Sequence, residues 1–129
     1  MLFLAPMLKL SARSEYALLL VKFLVDHPGT ASLTDVAKDL GIPEPILRKV
    51  SQQLVSHGIC VSKMGRNGGV ELIGDSPSLY NVLLAMGEDM NIALCSQKGA
   101  CTQESGCRVS PTLKRLQRGM ESLLKITKV

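Results

Sequence analysis

The chain has no tryptophan, and two tyrosines and two phenylalanines are its only aromatic side chains. A core must therefore be built from Leu, Val, Ile and Met, a composition that leans helical. Long apolar runs are lacking too. The opening stretch Met1-Leu2-Phe3-Leu4-Ala5-Pro6 is too short to span a bilayer and has neither the basic start nor the cleavage-site layout of a signal peptide. A cytoplasmic chain with no membrane association is expected, in which residues before Met7 are a dispensable extension or an alternative start. Strong charge of one sign is also missing. A formal net charge of +4 and a pI near 9.0 favour a polyanionic partner only if the excess gathers on one face. Four cysteines without an export signal argue against a disulfide framework and toward metal or redox chemistry. At 129 residues there is room for one compact domain and an appendage.

Ser11 can cap a first helix, whose apolar stripe is Ala17, Leu20, Val21 and Leu24 and which must stop near His27-Pro28-Gly29. Ser32-Leu33-Thr34-Asp35 resembles a capping box at the head of a second, short helix through Val36, Ala37 and Leu40, with Gly41 as its stop. After the turn Gly41-Ile42-Pro43, a third helix starts near Glu44 with Pro45 in its first turn. Leu47, Val50 and Leu54 form its buried stripe, which leaves Arg48, Lys49, Gln52 and Gln53 facing outward. Two helices joined by a tight Gly-containing turn, the second presenting basic and amide groups, is the layout of a helix-turn-helix. A generic three-helix cluster with a solvated polar face would account for this part alone.

The next segment favours the more specific reading. Two strand-like runs, Ile59–Met64 and Val70–Ile73, flank Gly65-Arg66-Asn67-Gly68-Gly69, a hairpin signal. A hairpin directly after the reading helix is a wing, and Lys63, Arg66 and Asn67 on it suit approach to a phosphate chain or a minor groove. The expected DNA-facing set is therefore Glu44, Arg48, Lys49, Gln52, Gln53, Lys63, Arg66 and Asn67; a winged helix that only docks proteins is the alternative. A fourth helix begins at Pro77-Ser78 and runs through Val82, Leu83 and Met86 to Gly87. Ser110-Pro111 opens a last helix with Leu113, Leu116, Met120 and Leu123 along one seam. A second subunit or the chain's own winged helix can cover that seam. The expected fold is mainly α with a small β-hairpin: a winged helix-turn-helix over 8–87, a cysteine loop over 88–109 and a dimerisation helix over 110–129.

Cys95, Cys101 and Cys107 are separated by five residues each time, with glycines between them. The spacing is too wide for a CxxC zinc knuckle, and it suits an open loop whose thiolates and backbone N–H groups wrap an iron-sulfur cluster. A zinc ion, a bare thiol redox switch and functionless cysteines remain the alternatives. Cys60, in the first wing strand, reads as a small buried apolar residue. A cysteine enzyme assisted by His27 or His57 is a poor fit, because neither histidine lies in a loop beside the cysteines and there is no phosphate or oxyanion cradle.

The ordered set of Leu10-Ser11-Ala12-Arg13-Ser14-Glu15-Tyr16-Ala17-Leu18, the helix-turn-helix ending in Leu47–Leu54, the wing Gly65–Val70 and the triple-cysteine loop resembles the Rrf2 family of bacterial transcription regulators, iron-sulfur type (IscR-like and NsrR-like), from about Leu8 onward. The resemblance implies a homodimer joined through the C-terminal helices, a reading helix in the major groove and a wing at the minor groove of operator DNA. It places Arg48 where members read bases, Arg66 on the wing, and Cys95, Cys101 and Cys107 at the three cysteine ligands of a 2Fe-2S or 4Fe-4S cluster. IscR-like members carry a histidine three residues after the last cysteine, where this chain has Ser110. NsrR-like members use an early-helix acid from the other subunit; Glu15 occupies that place, where a solvated acid favoured by the helix dipole is the plain alternative. The expectation is a non-enzymatic regulator, a repressor, whose DNA affinity follows a cluster sensing redox state, iron or nitric oxide.

Overall fold

The computed structural model describes residues 10–66, 68–88 and 110–129. Helix α1 (Ala12–Asp26) opens on Ser11, whose Oγ accepts from the Ser14 backbone N–H, and it buries Ala17, Leu20, Val21 and Leu24 as the periodicity requires. Helix α2 (Leu33–Leu40) starts after Ser32 and ends at Gly41, whose left-handed backbone lets Ile42 N–H return to the Ala37 carbonyl. The expected capping box does not form, for the Ser32 side chain makes no capping bond. Asp35 in the first turn still complements the helix dipole.

Helix α3 (Glu44–Ser56) carries Pro45 in its first turn and buries Leu47, Val50, Ser51 and Leu54 against α1 and α2. Strands β1 (Cys60–Lys63) and β2 (Gly69–Leu72) pair antiparallel, Cys60 opposite Leu72 and Lys63 opposite Gly69. The wing is also pinned at its base. Ala31 and Val70 exchange backbone hydrogen bonds of 2.9 Å in both directions. At Gly69, with φ 153°, an added Cβ would lie 2.0 Å from the Ala31 carbonyl oxygen, so no larger residue fits this close approach.

Helix α4 (Leu79–Ala85) is capped by Ser78 Oγ, which accepts from Asn81 N–H at 3.2 Å. Helix α5 (Ser110–Ile126) lies against α4. It is three residues shorter than the stretch 110–129 expected, because Leu79 N–H donates to the Thr127 carbonyl at 2.7 Å and Val129 N–H to that of Pro77 at 3.1 Å, which draws the last residues into an extended pairing. The expected seam divides. Leu113 and Met120 are half-buried, whereas Leu116 is 54% exposed, Leu123 63% and Ile126 72%. Among the described residues, no helix is long and apolar enough to cross a membrane.

Candidate nucleic-acid interface

Helix α3 and the wing form two walls of one open cleft of about 450 Å³, with Arg48, Ser51 and Gln52 on the helix side and Lys63, Met64 and Gly65 on the hairpin side. Arg48, Lys49 and Gln52 are exposed, as an outward polar face requires. Gln53 departs from that face: it is half-buried, and its Oε1 is buried without a hydrogen-bond partner among the described residues. It lies one helical turn after the buried Val50, at the edge of the packed face, which its polar letter did not reveal.

Glu44 and Arg48 are one helical turn apart and act as a pair. The Arg48 guanidinium donates to Glu44 Oε2 from Nε at 2.9 Å and from Nη2 at 2.5 Å. These bonds hold the Glu44 carboxyl below the usual range, with a smaller contribution from Thr34. The fork is thereby aligned along α3, and its remaining N–H groups have no partner among the described residues.

Lys63, expected in the DNA-facing set, has its ammonium 2.7 Å from Glu71 Oε1, diagonally across the hairpin. The same oxygen accepts from Thr30 Oγ1 at 2.9 Å. The bond from Lys63, followed by that from Thr30, lowers the Glu71 pKa. Arg66 is exposed, and Asn67 lies outside the described residues.

Cys95, Cys101 and Cys107 also lie outside the described residues. Among those described, no group of three His, Cys, Asp or Glu side chains could hold a metal. Glu15 is exposed in the first turn of α1, with no hydrogen bond or ion pair to its carboxylate within the described residues. Cys60 is buried, and burial pushes its thiol up to about 11, so it is inert as a thiolate.

Sequence reasoning missed Glu88. Its Oε2 accepts from Ser11 N–H and Ser11 Oγ, both at 2.8 Å, and from Ser14 Oγ. The bond from Ser14, then that from the Ser11 backbone, holds the Glu88 carboxyl below its ordinary value. An acid from the end of α4 thus caps the start of α1 from 77 residues away. The only local signal was a pair of serines at a helix start, and they carry no mark of a distant partner.

A search of curated protein sequences gave no significant match. Among solved structures, CymR, the global cysteine regulator of B. subtilis, superposes with a TM-score of 0.77 at 18% identity, covering 94% of this chain and 92% of that one. IscR of T. potens gives 0.70 at 19% identity, covering 94% and 82%. The oxidized form of S. aureus CymR gives 0.68 at 21%, covering 94% and 92%. These likenesses show a common winged helix-turn-helix fold. The model of the Rrf2 family, described as iron-dependent transcriptional regulator, matches residues 10–129. The chain therefore belongs to the Rrf2 family and is a DNA-binding transcriptional regulator, not an enzyme.

Proposed function

We propose that the chain is a homodimeric repressor that binds double-stranded operator DNA, and that an iron-sulfur cluster held by Cys95, Cys101, Cys107 and Glu15 sets its DNA affinity. The observation that carries the reading is the cleft shared by α3 and the wing, with Arg48 and Gln52 on one side and Lys63 on the other. A helix laid in a major groove puts its flanking hairpin at the neighbouring backbone and minor groove. Arg48 then reads base edges, Lys49, Gln52 and Arg66 contact the duplex around it, and the outward leucines of α5 meet those of a second subunit.

For the cluster, the donor set fits: thiolates are the ordinary ligands of such a group, and the Glu15 carboxylate, without a partner among the described residues, can serve as a fourth, in its own or the other subunit. When bound, the cluster supplies a redox-active, anion-like group that oxidation, iron loss or nitrosylation would remove or alter. The chain's own part is mechanical. Glu88 precedes the cysteine segment and grips Ser11 and Ser14, and α1 packs on α3, so a change in that segment has a route to the reading helix.

Anaerobically purified protein should absorb in the visible range and contain iron, and Cys101→Ala should lose both. The structural likeness to CymR, the global cysteine regulator of B. subtilis, supports a second reading, a thiol or zinc redox switch on the same loop. Colourless, iron-free protein whose operator binding still responds to peroxide would install that reading in place of the cluster.

A further inference from the structure

The wing turn presents an unusual side chain for a surface that meets a polyanion. Met64, directly after β1, is 93% exposed and lines the cleft that α3 shares with the hairpin. The turn that follows it is closely folded: Gly68 N–H donates to the Gly65 carbonyl at 3.0 Å, and a Cβ on Gly68 would lie 2.3 Å from the Lys63 carbonyl oxygen. The preceding residue, Lys63, is engaged by Glu71, so charge on the turn rests on Arg66. The wing therefore offers the duplex a long apolar side chain at a closely folded turn, beside one arginine.

We propose that Met64 enters the minor groove next to the helix-contacted major groove and packs against deoxyribose and A·T base edges, making the wing a reader of groove shape through apolar fit. The physical grounds are specific. An unbranched thioether with three torsions follows the curved floor of a narrow groove, and apolar side chains are used as minor-groove wedges. At A·T pairs that floor carries only acceptors, whereas the guanine 2-amino group would obstruct the contact. The inference rests on the DNA-binding reading above and adds the residue and the base preference.

The test uses the full chain. The wild type first selects its preferred sequence from random double-stranded DNA. Met64→Ala, Met64→Gln, Met64→Leu and Arg48→Ala are then titrated by fluorescence anisotropy on that duplex and on two derivatives. In these, the A·T pairs under the wing become G·C or inosine·C, the latter lacking the 2-amino group. The expected result is a roughly tenfold loss for Met64→Ala and Met64→Gln, the scale of one buried apolar side chain, with the salt slope unchanged and Met64→Leu near wild type. Wild type should lose affinity on G·C and recover it on inosine·C. If Met64→Ala binds and discriminates like wild type while Arg48→Ala loses sequence preference, the Met64 assignment is overturned and the DNA-binding reading stands. If wild type selects no sequence, both fall.

Discussion

The two halves of the chain differ in how completely they cover themselves. In the α1–α3 unit Leu20, Leu47 and Leu54 are fully buried, and the wing is tied back to the loop before α2 by Ala31 and Thr30. In α5 the residues Leu116, Leu123 and Ile126 stand largely in water. The first half is a closed core that positions a reading face; the second packs on α4 and has another face left uncovered among the described residues. In the proposed dimer this split would let the part that reads DNA keep its shape while α5 sets the distance between two such faces.

The comparison breaks most visibly at Leu47. Leu47→Ala leaves a cavity among α1, α2 and α3 and should cost about 2–5 kcal/mol in urea unfolding, independent of protein concentration. Leu123→Ala should lower the melting temperature only by weakening a dimer, so its effect should be absent at concentrations too low for dimers and grow to a plateau as protein concentration rises. A concentration-independent loss equal to that of Leu47→Ala would mean that α5 is covered by its own chain. Gly69→Ala comes next, about 1–3 kcal/mol, because it forces a Cβ against the Ala31 carbonyl; the wing amides should then exchange hydrogen faster while those of α3 stay protected.

Glu88→Gln should cost roughly 0.5–1 kcal/mol, the value of a cap on a partly exposed helix end. Because the folded carboxyl titrates below the unfolded one, its stabilisation is complete above the unfolded carboxylate range and is lost as pH falls through the folded value. Denaturation curves of wild type and Glu88→Gln should therefore converge in acid. The smallest effect is expected at Glu71→Gln, which releases Lys63 from its partner. Stability should barely move, and the slope of log affinity against log salt should steepen by about one.

Much of the fold was legible in the letters. Ser11 as a cap, the Leu47-Val50-Leu54 stripe, Gly41 as a stop and the Gly-rich wing turn each follow from rules that span a few residues, and the structure has all four. Legibility ended where a side chain chose between nearby and distant partners. Ser32 had the letters of a capping box and makes no cap bond. The partner of Lys63 was not legible because Glu71 is eight positions away, and it is brought close only by the hairpin register. The α5 seam looked uniform, but Leu113 and Met120 are half-buried while Leu116 and Leu123 stand outside.

Taken by itself, the order of residues determined which segments are helix, turn and hairpin, and which family they assemble into, since backbone propensity and apolar periodicity act over one or two turns. Tertiary structure alone decided that Glu88 caps α1, that Lys63 is neutralised and that Met64 stands out from the wing. Those facts depend on where distant backbones come to rest, and a hydrogen bond or an exposed surface exists only once they have.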